Sequence, residues 1–354
     1  MRWLAVVWLL GGCHKLFGLE EIKAKPDGNG VWLEGYTYRK AITIRLGALT
    51  DFVVSVTTDR DPDLEAHART DGRDIVFTDS NGVTVRDSEV VVYGSGTLDA
   101  WVQMPMLSAP TTTIFVYYGG PAFVSTTTPW GPDFAGVWHL AGQSSSEVDS
   151  TANGHNVVAG TNRIPMSVAG IAGAGREYDG VDDSMCGAGD GSLDQDIGSF
   201  GVSAWVNVSS SVGQYDQAIN KGGNTAGSPG FSLELGTTDW VGTVGDGTDT
   251  LPLVITQETL GRWVYLAFFV DRSRLQVEGY ADGAFTNMIP TAGLDSVSGT
   301  PTFCLGGQGG FPFKGILDEV RVYRHAIDRP KLTAEYANLA DRANTIQISN
   351  EETL

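Results

Sequence analysis

"GILDEVRVYRHAI", residues 315–327, reads as a β-strand: β-branched and aromatic residues are interleaved with charged ones along a short run that ends before a polar segment. Five comparable runs precede it after residue 199: "FGVSAWVNV", "GFSLELG", "RWVYLAFFVD", "RLQVEGYADG" and "TFCLGG". Turn pairs "DG", "GG" and "NG" recur between strands, the spacing expected of a two-sheet sandwich. Behind the last strand, "DRPKLTAEYANLADR" has Asp328 as a cap, Pro330 shortly after it, and Leu332, Tyr336 and Leu339 on one face. A C-terminal helix is expected there.

Moving toward the N-terminus, "PAFVSTTTPWGPD" (121–133) is rich in Pro and Thr and reads as a stiff linker. Upstream of it, "RKAITIRL", "DFVVSVTT", "DIVFTDSNG", "EVVVYG", "LDAWVQMPM" and "TTTIFVYYGG" form a second set of strands. One helix interrupts them at "DPDLEAHART", where Asp61 caps and Pro62 takes the first helical position. The chain of 354 residues is longer than one core usually fills, so two β-sandwiches are expected. The 46 glycines and 18% charged residues suit an all-β protein. With 42 acidic against 23 basic residues the net charge is −19, which repels polyphosphate and excludes nucleic acid as a partner.

The first residues read as an address. "MRWLAVVWLLGGCHK" has Arg2, an apolar run from Trp3 to Leu10, small residues and then Cys13, and is too short to span a bilayer. Its "LLGGC" resembles the lipobox of bacterial lipoproteins. That resemblance implies cleavage after residue 12, diacylation of Cys13 and membrane attachment through the lipid, with the outer membrane favoured because His14 is not an inner-membrane retention Asp. An ordinary secretory signal is the plainer alternative. Residues 13–34 then read as a tether, "EIKAKPDGNG" being polar and rich in turn formers.

Within residues 35–120, "YRKAITI", "DLEAHARTDGRDIVFTDSNG", "LDAWVQMPMLS" and "TTTIFVYYGG" resemble the DUF2341 family of envelope and secreted proteins, which implies a small β-sandwich and no chemistry. The polar group His67, Arg69, Asp71, Arg73 and Asp74 is expected to pair locally. Residues 134–340 resemble the LamG-like, concanavalin A-like jelly rolls in seven successive motifs: "GVWHL", "DSTANGHN", "YDGVDDSM", "SAWVNV", "INKG", "YADGAF" and "GILDEVRVYRHAI". Residues 341–354 are left as a tail. The resemblance implies recognition of carbohydrate or protein ligands at a loop rim or concave sheet, often beside structural calcium.

Several residues bear on chemistry. "YDGVDDSM" holds Asp179, Asp182 and Asp183; Asp179-Gly180 supports a tight turn, and Asp182 and Asp183 point to opposite faces if they begin a strand. A retaining glycosidase needs two carboxylates about 5 Å apart. On this scaffold they are written Glu-x-Asp-x-Glu, and no such triplet occurs. Asp318 and Glu319 are adjacent, and Glu147 and Asp149 lack a third acid. A non-catalytic binding protein is therefore expected, with a glycan-processing enzyme or an envelope scaffold as the rival readings.

Calcium is the expected cofactor, since it takes several oxygens from Asp, Asn and carbonyl groups. By analogy with jelly rolls that clamp their first and last strands, Asp149, Asn153 and Asp318 form the first ligand set; Asp179 and Asp182 form a second. Turn and hydrogen-bonding roles compete for all five. Trp240, in the loop-like "GTTDWVG", is the candidate for stacking a sugar ring, whereas Trp138, Trp205 and Trp263 lie in strand patterns. His139 and His155 are expected to pack rather than bind metal. Cys186 and Cys304 pair only if their strands are neighbours; two separate buried thiols are the equal alternative.

Overall fold

A computed structural model of the chain describes residues 24–27, 30–123, 125, 127–187, 191, 193–210, 215–224, 227–291, 293–307 and 310–354. The expected all-β class is what it shows: strands stacked as two sandwiches, with short helices Pro62–His67, Arg329–Ala340 and Arg342–Thr345. Cys13 lies outside the described residues, and so do residues 1–12. No helix among the described residues is long and apolar enough to cross a membrane.

The larger sandwich stacks two eight-stranded sheets. Lys314–Tyr323 lies inside one of them, antiparallel to Phe200–Asn207 and Ala174–Asp179, and also to Phe134–Trp138 through Val320↔Trp138 and Arg321↔Val137. The first and last strands of this sandwich are thus joined by a direct ladder. The alternation seen in the sequence sorts its side chains: Val202, Ala204 and Val206 from one sheet meet Phe231, Leu233 and Leu235 from the other, all buried in one core.

The smaller sandwich has a three-stranded sheet, Leu49–Thr58, Thr97–Leu107 and Ser88–Gly94, facing a five-stranded one built around Tyr38–Ile44 and Thr112–Tyr118. Its helix begins as expected, with the Asp61 side chain accepting from the Asp63 and Leu64 N–H groups and Pro62 in the first turn. At the second helix Asp328 occupies the cap position without a side-chain bond; Leu332 and Leu339 are buried and Tyr336 is half-buried on one face.

Three segments depart from expectation. The tether, 13–34, includes a described hairpin, Ala24–Asp27 with Gly30–Leu33, and buries Trp32 and Leu33 against Tyr36 and Tyr117. The tail, 341–354, runs back to the smaller sandwich, where Ile346–Ile348 and Glu352–Thr353 both pair with Tyr38–Ile44. There Glu351 bonds His67 Nδ1 and the Tyr118 hydroxyl, each at 2.8 Å, and Glu352 binds Arg39. The linker, 121–133, contributes the buried Trp130, which packs with Trp101, Phe134 and His139. A third core of Val53, Trp101, Trp130, Trp205, Tyr265, Tyr323, Leu332 and Leu339 therefore lies between the sandwiches. Burial of large apolar rings outweighs the weak local preference of a Pro/Thr-rich run for solvent.

Candidate functional site

Strand Ala174–Asp179 ends at Asp179 because Gly180 takes a left-handed φ of 77°, a conformation that favours glycine. Asp179 Oδ1 accepts from the Val181 N–H at 2.8 Å, and Asp183 Oδ2 from the Asp179 N–H at 3.1 Å. The turn is therefore real, and it also supplies the bend that adjacent carboxylates need to share a site. The next strand starts only at Met185, so Asp182 and Asp183 are not held on opposite faces of a sheet. Asp179, Asp182 and Asp183 each place a carboxylate oxygen within 4.8 Å of the others, with no other such group of three metal-ligating side chains among the described residues. Partial burial, then the negative charges of Asp179 and Asp182, push the Asp183 carboxyl above its usual range.

Beside this turn lies a cavity of about 430 Å³, lined by Asp182, Asp183, Arg163, Val181, Phe311 and Cys186 among others. Phe311 is 38% exposed and Val181 73%, so the cavity has an apolar wall that solvent reaches. Arg163 stands 3.6 Å from Asp182, giving the mouth both signs of charge. The floor is fixed by the bond between Cys186 and Cys304, whose short strands are neighbours in register. Phe311 was not singled out in the sequence. It lies among glycines in "GGQGGFPF", and such a run gives no period from which to assign its face.

The other candidates are placed elsewhere. Asp149 Oδ1 accepts from the Val137 and Thr151 N–H groups and Oδ2 from the Thr151 hydroxyl and the His155 N–H, at 2.8 to 3.0 Å. Asn153 donates to the Phe134 and Ala135 carbonyls. Asp318 Oδ2 accepts from the N–H groups of Ile171 and Ala172. The expected ligand set Asp149, Asn153 and Asp318 is thus not assembled: backbone donors occupy the carboxylates, and Asn153 Oδ1 accepts from Arg324. Trp240 is likewise corrected. It is 1% exposed, inward-facing in strand Asp239–Gly245 and 6.3 Å from the Phe313 ring.

The adjacent acids Asp318 and Glu319 are both buried, and Glu147 is tied to Arg176 Nε at 2.6 Å. None forms an open acid/base pair. His139 and His155 pack as expected, His139 Nδ1 against Glu319 at 2.7 Å and His155 Nδ1 against the Ala135 carbonyl at 2.8 Å. Of the polar group in the smaller sandwich, Arg69 pairs with Asp71, and Asp74 accepts from the Arg69 and Gly119 N–H groups.

Residues 179–332 match the family described as the concanavalin A-like lectin/glucanases superfamily. No curated protein matches the chain. Among solved structures, the binding domain of Paraclostridial Mosquitocidal Protein 1 is similar at 13% identity and a TM-score of 0.49, over 58% of this chain and 52% of that one. The Botulinum Neurotoxin serotype G binding domain is similar at 10% identity and a TM-score of 0.47, over 57% of this chain and 50% of that one. The chain thus spans about half the length of these structures. The concanavalin A-like part includes the Asp179 turn and the wall formed by Phe311.

Proposed function

We propose that the chain is a non-catalytic binding protein of the cell envelope that takes a carbohydrate or protein ligand in the cavity between the Asp179 turn and Phe311. One observation carries this reading: an exposed aromatic face, two carboxylates and a guanidinium converge on one cavity of about 430 Å³. A few polar groups placed around an apolar wall is the usual make-up of a small-ligand site. A sugar ring would stack on Phe311 while its hydroxyls bond Asp182, Asp183 and Arg163. The description of the matched family as lectins and glucanases supports a saccharide.

Asp179, Asp182 and Asp183 suit a hard divalent cation such as calcium. They offer three carboxylates in reach of one point, and a cation would relieve the repulsion that raises Asp183. Bound there, it would hold the turn that forms one wall of the cavity. In the same proposal a lipid on Cys13 attaches the protein to the outer membrane; Cys13→Ala is expected to move it from the membrane to the soluble fraction. The binding test uses the mature chain on glycan arrays and envelope polysaccharide, in calcium and then in EDTA. Saturable binding lost in Phe311→Ala supports the site. Binding that survives Phe311→Ala, or none in either buffer, overturns it for glycans.

A further inference from the structure

Five carboxyl groups gather where the two sandwiches meet. Glu89 and Asp99 come from the smaller one, Asp318 and Glu319 from strand Lys314–Tyr323, and Glu335 from helix Arg329–Ala340. The cations among them are Arg321, His139 and, facing Asp99 from the following helical turn, Arg342. His139 lies between two acids, Nδ1 at 2.7 Å from Glu319 and Nε2 at 3.5 Å from Glu89. Arg321 reaches Glu319 at 3.1 Å and Glu335 at 3.3 Å, with its guanidinium 4.7 Å from the Trp101 ring and 5.2 Å from Trp130. Glu335 also accepts from the Tyr265 and Tyr323 hydroxyls.

The charges do not balance. Five acids against three cations leave two negative charges in a site where Asp99, Asp318, Glu319, His139 and Arg321 are each at most 5% exposed. Both Asp99 oxygens are buried without a hydrogen-bond partner, as is Trp101 Nε1. A carboxylate so placed is costly, and a buried acid avoids that cost by keeping its proton. The turn 170–173 is caught between two of these acids: Asp318 accepts from Ile171 and Ala172, and a Cβ added to Gly173 would lie 3.1 Å from Asp99 Oδ2.

We propose that a proton held on Asp99, together with a charged His139, closes the joint between the two sandwiches, and that alkali opens it. Burial first, and then the charge of Glu319, push Asp99 up to about 7 and Asp318 well above its ordinary range. Burial alone would lower His139, but Glu319 and Glu89 outweigh it and hold the imidazolium to about 10. The sign is the same for Asp99 and His139, whereas Glu89 runs the other way: His139 holds it below its ordinary range against burial, so its contribution is lost only as pH falls through that range. Above the carboxylate range, a closed joint that binds protons more tightly than the open one is most stable at the acid end. It loses stability as pH rises from the ordinary Asp value to about 7 for Asp99, and from the ordinary His value to about 10 for His139.

The test follows the mature chain from about pH 5 to about pH 10.5, a range that brackets both titrations. Tryptophan quenching and protease cleavage within 121–133 report the joint, and far-ultraviolet circular dichroism reports the sheets. Quenching and cleavage are expected to rise with pH before the β signal is lost. Asp99→Asn, which keeps the shape and cannot ionise, is expected to move that opening upward by about one pH unit or more. Tryptophans shielded throughout the range, or an opening unmoved in Asp99→Asn, overturn the proposal. Should that variant not fold, the infrared carbonyl band of a protonated carboxylic acid in the wild-type protein at neutral pH decides: its presence supports the proposal and its absence overturns it.

Discussion

Asp149 looks in the sequence like a calcium ligand and serves in the fold as a hub for backbone donors. Its two oxygens accept from Val137, Thr151 and His155, so Asp149→Ala would strand three buried or half-buried N–H groups. We expect a loss of about 3 kcal/mol in chemical denaturation, whether calcium or EDTA is present. Asp182→Asn should behave in the opposite way. Asp182 is exposed and contributes little to stability, so its loss is expected to leave the melting temperature within about 2 °C of wild type and to reduce calcium affinity about tenfold or more in titration calorimetry. Both residues carried the same expectation before folding. Only the donors that the fold brings to Asp149 separate them, and those donors belong to strand and turn residues up to twelve positions away.

At the scale of elements, the C-terminal residues show how far local reading goes. "TIQISNEETL" is polar and short, and nothing within it requires a sheet. Its strands form because Tyr38–Ile44 presents a free edge, and antiparallel pairing there satisfies backbone groups on both sides. Truncation after Thr345 would open that edge and remove Glu351 from His67 and Tyr118. We expect the smaller sandwich to lose on the order of 3 kcal/mol, seen as an earlier transition in calorimetry and faster amide exchange in Tyr38–Ile44. The helices lie at the other extreme. Asp61 caps the Asp63 and Leu64 N–H groups, and Pro62 and Pro330 each stand in a first turn, so both helix starts were legible locally although Asp328 makes no side-chain cap bond. The disulfide falls between the two. Its cysteines are 118 residues apart and meet because Met185–Cys186 and Cys304–Leu305 are neighbouring strands. A loop of that length closed by a covalent bond is worth up to about 4 kcal/mol, so a reducing agent should lower the melting temperature of the larger sandwich.

For the whole molecule, a core lies between the sandwiches, with Trp101 stacked on His139 and Trp130 packed beside them and Arg321. A single cooperative unfolding transition is expected at neutral pH by both tryptophan fluorescence and circular dichroism, and separate transitions would show that the joint contributes little. The sequence by itself determined the all-β class, the strand pattern and the starts of two helices. Each rests on periodicity or on contacts within a few residues, which a strand or helix carries wherever it is placed. Only the tertiary structure decided which acids converge, that Trp240 faces inward and Phe311 outward, that Cys186 meets Cys304, and that the chain's end completes the first sandwich. The physical reason is the same in each case: a period of two says that neighbouring side chains part to opposite faces, but which face is covered, and by what, depends on strands that pair across a hundred residues or more.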